Sequence, residues 1–279
     1  PMPVIIAKAD GGYNYATTDL ACIIDRVERL GCNDLLYVVG TPQAQHFDMV
    51  FEVAQQAGFM DNSHSAVHVN FGSVMDSDGK ILKSREGEVI KLVDLLREAV
   101  TRAEQAIAEK NPELKGAQRE EIAKAIGIGA VKYADLSTER TKDYVFDWDR
   151  MLAFEGNTSP YLQYAHARIC SIFRRSGIER SSLSGISISL SQPEEQLLAR
   201  RLVNFAAVTD DTLDTYSPHR LCTYLHSVAS AFATFYEVCP VLGAEDEATM
   251  ESRMAICDLT ARTIATGLGL LGIDSPEQM

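Results

Sequence analysis

Two lysines, Lys80 and Lys83, lie three residues apart and are followed at once by Ser84 and Arg85. Gly79 and Gly87 flank them and let the backbone turn tightly. Two ammonium groups on such a loop can converge on one polyphosphate, because lysine acts as a mobile point charge and a stabilised pyrophosphate is a good leaving group. The same spacing also describes an ordinary solvated turn. A second set lies near the start of the chain. Tyr15 and Asp19 stand four apart at the head of a helix-like pattern. A phenol and a carboxylate there could grip a guanidinium, since carboxylate–guanidinium pairing is charge-assisted and often bidentate. The competing reading is that Asp19 caps the helix and Tyr15 packs. A third set is Tyr161 and Tyr164 within GNTSPYLQYAHAR (156–168). Such rings stack on unpaired nucleobases or pack between helices.

These residues need elements to hold them. Residues 3–9 read as a short strand, and Asp10-Gly11-Gly12 as a turn. Leu20, Ile23, Ile24, Val27 and Leu30 form a helical stripe that Thr18 or Asp19 can cap and Gly31 stops. Residues 34–40 read as a buried strand, 43–58 as a second helix ended by glycine, and 64–69 as a third strand. Strand, helix, strand, helix, strand predicts a doubly wound α/β sheet. Ligands gather at the carboxyl ends of such strands, so the loops at 10–19, 40–46 and 70–85 are expected to share one crevice.

From about residue 88 the pattern turns helical. Residues 89–110 and 118–135 read as helices separated by the loop 111–117, and a further loop runs from Arg140 to Asp149. Thr158 or Ser159 caps the next helix, with Pro160 in its first turn. Leu162, Ala165, Ile169 and Ile172 follow a helical spacing, as do Leu221, Leu225, Val228, Phe232 and Phe235. So do Met250, Met254, Cys257, Ala261, Ile264, Leu268 and Leu271. With a shorter stripe through Leu198, Leu202 and Phe205 they predict a helical bundle. The serine-rich stretch 181–192 reads as a surface connection. No internal repeat is visible.

With 279 residues, 46% of them hydrophobic and 23% charged, this is an ordinary globular composition. No apolar run is long enough for a transmembrane helix and no signal peptide is visible, so a cytoplasmic protein without a membrane partner is expected. The six cysteines form no CxxC pair, which argues against zinc and for small core residues in a reducing compartment. A net charge of −13 weighs against a nucleic-acid partner. Nevertheless Arg168, Arg174, Arg175, Arg180, Arg200, Arg201 and Arg220 fall close together in sequence and could make a local basic patch.

At this point a resemblance enters. Lys80-Ile81-Leu82-Lys83-Ser84 resembles the KMSKS loop of class I aminoacyl-tRNA synthetases, departing from it at its second and third positions. The surrounding residues 68–99, with DGGYNYATTDLA (10–21), YVVGTPQAQHF (37–47), GIGAVKYADLS (127–137), 143–169 and 241–273, resemble the arginyl-tRNA synthetases. The resemblance implies ATP as cosubstrate, with magnesium, and L-arginine and tRNA-Arg as partners. It implies that Tyr15, Asp19 and Gln43 hold arginine, with His46 near the same pocket. It assigns Lys80, Lys83 and Ser84 to ATP, with Lys83 the main phosphate contact, and places His68 and Gly72 near the adenine. It implies that Tyr161, Tyr164, Arg168, Arg220 and Met279 serve tRNA; Ser217-Pro218-His219-Arg220 matches the DALR signature only in its arginine and setting. The fold it implies is a partial Rossmann-like catalytic domain over 1–112, followed by an all-α anticodon-binding domain over 113–279.

One expected feature is missing. None of the six histidines sits in an HxGH motif, so the chain reads as the carboxyl-terminal part of such an enzyme, inactive alone. An artificially trimmed chain is favoured over a naturally split or truncated gene and over half of a two-chain enzyme. A monomer is expected, although an exposed sheet edge would favour association. A non-catalytic tRNA-binding paralogue is the runner-up. An unrelated nucleotide-binding protein is disfavoured by the absence of GxxxxGK[ST] and GxGxxG.

Overall fold

The computed structural model describes residues 4–81 and 91–279. The chain divides into two compact units. One comprises the residues up to Val74 together with Arg140–Tyr144, and the other Met75–Glu139 together with Val145–Met279.

In the first unit, helix α1 (Tyr15–Ile24) begins where Asn14 accepts from the Thr17 N–H. Asn14, not Thr18 or Asp19, is therefore the cap; Asp19 sits a full turn inside. The carboxamide of Asn14 also donates to the Ile5 carbonyl, and the Thr17 hydroxyl to that of Ile6. Ala16, Leu20 and Ile23 form the buried face. The helix runs on through a π-type turn, Asp25–Arg29, before Gly31 adopts positive φ. Strand β1 (Asp34–Gly40) buries Leu35 and Tyr37 and exposes Leu36 and Val38, as the period of two requires. Helix α2 (Ala44–Gln56) follows a 3₁₀ turn over Thr41–Gln43 and buries Phe47, Val50 and Ala54. Strand β2 (Ser65–Phe71) lies parallel to β1, with Tyr37 opposite His68 and Gly40 opposite Phe71. Both helices share one core with the Leu35/Tyr37 face of β1.

The strand expected at residues 3–9 is not formed. Ala7 makes only an isolated antiparallel bridge to Tyr13, closing a turn in which the Lys8 N–H donates to the Gly12 carbonyl. The described parallel sheet thus has two strands where three were expected.

Two-residue strands β3 (Val74–Met75) and β4 (Tyr144–Val145) pair with each other. In the second unit, α3 (Leu92–Lys110) and α4 (Gly116–Leu136) pack closely. A Cβ on Gly127 would lie 2.7 Å from the Ala99 carbonyl carbon and oxygen, so this crossing requires glycine. A one-turn helix, α5 (Trp148–Met151), is capped by Asp147. Thr158 caps α6 (Ser159–Ser176), with Pro160 in the first turn, and Gly177 ends it in the left-handed conformation. The Leu198–Leu202–Phe205 stripe belongs to two helices, α7 (Pro193–Leu202) and α8 (Phe205–Thr215), separated by a turn. Helices α9 (Pro218–Val238) and α10 (Glu247–Leu270) complete the bundle. The three long stripes read from sequence are its interior, except that Met250 is only half-buried.

The serine-rich stretch is more than a surface connection. Leu183 is buried in the core, and the Ser189 N–H donates to the Ser252 hydroxyl on α10. No described helix is long and apolar enough to cross a membrane.

Candidate functional site

The parallel register brings the carboxyl ends of β1 and β2 together in the first unit. The Thr41 hydroxyl donates to the Phe71 carbonyl at 3.0 Å, and Asn70 Nδ2 to the Thr41 hydroxyl at 3.3 Å. Arg140 donates to both the carbonyl and the side-chain oxygen of Asn70. The backbone of 140–144 packs hard on Gly72. A Cβ there would sit 2.4 Å from the Lys142 carbonyl oxygen. The His68 ring donates from Nε2 to the Val39 carbonyl at 2.9 Å and packs against Phe47, with centroids 4.9 Å apart.

At this strand end, α1 and α2 present a polar cluster. His46 Nε2–H donates to Asp19 Oδ2 at 2.6 Å, and its ring lies 4.6 Å from the Tyr15 ring. The His46 side chain is 11% exposed and the Asp19 side chain 31%, while Tyr15 is 67% exposed. The carboxylate and the phenol are therefore open to a ligand, whereas the imidazole behind them is enclosed. Gln43 is exposed in the turn that leads into α2. The loops at 10–19 and 40–46 do meet. Sequence reasoning placed His46 only near this pocket and missed its bond to Asp19. The spacing Gln43–His46 was visible, but a contact between two helices has no local signature.

Lys80 belongs to the second unit. Its N–H and that of Asp78 both donate to Asp76 Oδ1 at 2.9 Å, and Gly79 takes positive φ. The turn over 76–80 thus holds Lys80 exposed beside the Met75–Ile81 bridge. Lys83 and Ser84 lie outside the described residues, as does Arg85.

On the helical bundle, a cavity of about 480 Å³ is lined by Tyr164, Arg168, Arg174, Arg175, Tyr236 and Met279, among others. The Arg168 guanidinium lies 5.1 Å from the Tyr164 ring centroid and 5.3 Å from that of Tyr236. An apolar cavity of about 440 Å³, lined by Ile107, Ile126 and Phe154, shares Asn111, Tyr164 and Met279 with it. Side chains of α6 tie down the backbone of residues 274–277. Gln163 Nε2 donates to the Asp274 carbonyl at 2.7 Å, His166 Nδ1–H to that of Pro276 at 3.1 Å, and Arg174 to that of Glu277 at 2.9 Å. Burial lowers the His166 pKa, which favours the neutral ring.

The structure therefore gathers Tyr164, Arg168 and Met279 but not the whole predicted set. Tyr161 is half-buried against the core and His226. Arg220 pairs with Asp211 on α8. Of the other arginines, Arg180 turns back to Cys170 Sγ at 3.1 Å and lies over Phe173.

Comparison with known proteins divides the chain at a different point from the two compact units, since α3 and α4 fall within the catalytic-domain match. Residues 1–148 match the family model for class I tRNA synthetases (R), catalytic domain, and residues 162–279 match the DALR anticodon-binding domain. An arginine–tRNA ligase of Thermobifida fusca is 51% identical, and one of Edwardsiella ictaluri 49%, each over all of this chain and 48% of the relative. The chain thus spans about half the length of these curated relatives. Among solved structures, the arginyl-tRNA synthetase of Thermus thermophilus superposes with a TM-score of 0.88 at 27% identity, over 99% of this chain and 51% of that one. That of Plasmodium falciparum gives 0.87 at 29%, over 100% and 47%.

Proposed function

The chain belongs to the class I arginyl-tRNA synthetases, and we propose that it supplies the carboxyl-terminal part of an arginine–tRNA ligase. The activity is the attachment of arginine to tRNA-Arg through arginyl-adenylate, with ATP giving up pyrophosphate. The observation that carries this reading is the open Tyr15 phenol and Asp19 carboxylate, both in contact with His46, at the positions to which the resemblance assigns arginine.

In this scheme Asp19 accepts the guanidinium, the Tyr15 phenol flanks it, and Gln43 closes the side next to α2. Lys80, Lys83 and Ser84 neutralise the phosphates of ATP. His68 and Gly72 serve ATP through the shape of the strand end, since the His68 Nε2 is engaged by Val39 and Gly72 admits the backbone of 142–143. Among the described residues there is no cluster of three or more metal-ligating side chains. Magnesium would accompany the phosphates of ATP.

Tyr164 offers a stacking face to an unpaired base, Arg168 a cation to the phosphates, and Met279 an apolar edge. Tyr161 and Arg220 are secondary contacts, the one partly committed to the core and the other paired with Asp211. The functional division places activation in residues 1–112 and tRNA recognition in 113–279. The packing of α3 on α4 within one compact unit makes this a division of roles, not of bodies.

The test is charging of tRNA-Arg with labelled arginine by the natural polypeptide that carries these residues. Arginine-dependent charging that Asp19→Asn abolishes supports the reading. Absence of charging with arginine, or charging indifferent to Asp19, overturns it.

A further inference from the structure

We propose that His46 is a positioning residue for arginine recognition: its Nε2–H holds one oxygen of Asp19 while its ring braces Tyr15, so that carboxylate and phenol meet a guanidinium in a single arrangement. The inference deepens the reading of Tyr15 and Asp19 as the arginine site and rests on it.

Three observations carry it. The His46–Asp19 contact, at 2.6 Å, links α2 to α1 across 27 residues of sequence. The same imidazole lies 4.6 Å from the Tyr15 ring at an interplanar angle of 50°, so one side chain touches both ligand-facing groups. Finally, His46 is itself held from behind. Its ring stands edge-on to Phe47 at 5.2 Å, and Phe47 is a core residue packed against Tyr37 and His68.

The consequence follows from carboxylate chemistry. An ionised carboxylate has about four lone-pair sites, and a guanidinium offers its N–H groups in a fixed planar fork. His46 occupies one site on Oδ2. Among the described residues no hydrogen bond reaches Oδ1 of Asp19, and the side chain is 31% exposed, so lone pairs remain for a guanidinium. A carboxylate free to rotate would have to be ordered when arginine binds; one already tied is preorganised, and the binding energy is not spent on ordering it. Losing the imidazole donor should therefore weaken arginine binding and leave ATP binding untouched.

The decisive comparison separates donor from ring. His46→Phe keeps an aromatic ring beside Tyr15 but has no donor. His46→Gln carries an amide nitrogen at about the reach of Nε2. Both are tested in the natural polypeptide by charging kinetics with arginine and ATP varied in turn, with thermal unfolding in parallel. We expect H46F to raise the arginine KM about 10-fold or more, with the ATP KM and the melting temperature near wild type, and H46Q to recover most of the loss. An unchanged arginine KM in H46F, where Asp19→Asn still abolishes charging, overturns the proposal while leaving the arginine site standing. An H46Q no better than H46F, or arginine and ATP KM rising together, assigns His46 to packing and overturns it too. If Asp19→Asn has no effect, the arginine-site reading fails instead. Should H46F not fold, His46→Asn, whose amide is too short, replaces it; equal arginine KM values for H46N and H46Q overturn the inference.

Discussion

Arg253 on α10 and Glu195 on α7 meet inside the helical unit, Nε to Oε1 at 2.7 Å, with side chains only 9% and 1% exposed. Arg253 also donates to the Pro240 carbonyl, and Glu195 accepts from the Gln192 N–H at 2.9 Å, completing a capping box for α7. The pair joins two helices through charge, and removing one partner strands the other in the interior. Arg253→Met is expected to cost on the order of 3–5 kcal/mol in urea unfolding, and Arg253→Met with Glu195→Leu distinctly less. Burial works against the Glu195 carboxylate, but the Gln192 N–H, Arg253 and Ser191 outweigh it, so its pKa falls below the ordinary 4.5. A lowered folded pKa means that this stability is present above pH 4.5 and is lost as pH falls through the folded value. Glu195→Gln should flatten that acid limb; an unchanged limb would show that other carboxylates control it.

The glycine contacts give a second prediction. A methyl group at Gly72 would meet the Lys142 carbonyl, and one at Gly127 the Ala99 backbone; neither neighbour is a side chain that can swing away. Gly72→Ala and Gly127→Ala should each destabilise by roughly 1–3 kcal/mol in chemical denaturation. The first should also lower charging activity, because it separates the strand end from residues 142–143.

For tRNA, the cavity around Arg168 predicts an order of effects. Arg168→Ala should weaken binding of a tRNA-Arg transcript and reduce the slope of log affinity against log salt by about one. Tyr164→Ala should cost about 1–3 kcal/mol if a base stacks there. Arg220→Ala should matter less than either, since Asp211 already neutralises it. Filter binding over a salt series gives all three numbers, and an Arg220 effect larger than that of Arg168 would move the interface to α8 and α9.

Thiol chemistry provides a fourth. Cys22 is exposed and Cys32 half-buried, whereas Cys170, Cys222, Cys239 and Cys257 are buried. Burial raises the Cys170 and Cys239 thiols and pushes Cys222 and Cys257 up to about 12. At pH 8 a disulfide reagent should modify Cys22 rapidly, Cys32 more slowly and the remaining four only on unfolding. Mass mapping of the labelled sites checks this.

Much of the architecture was legible because apolar spacing is a local property. The stripes through Leu162, Leu221 and Met254 became the bundle core, and the run 34–40, read as a buried strand, became β1 with Leu35 and Tyr37 inward but Leu36 and Val38 exposed. The misjudged elements were those where local signals competed. The run at 3–9 had strand-like residues but is engaged in its own turn through the Ala7–Tyr13 bridge, and the Leu198–Phe205 spacing concealed a break between two helices. Asn14 was passed over as a cap because Thr18 and Asp19 are equally good cap residues by type.

What the sequence by itself determined is where the long helices and the two parallel strands run, which helix faces turn inward, and which residue types stand at the candidate site. These follow from periodicity and side-chain chemistry within a few turns. The tertiary structure alone decided which polar groups meet. Asp19 finds His46 27 residues away, Arg253 finds Glu195 58 away, and Gln163 finds the Asp274 carbonyl 111 away. Hydrogen bonds act over about 3 Å and within a narrow angle. Whether two such groups come within that range depends on how whole elements pack, and no local spacing records it.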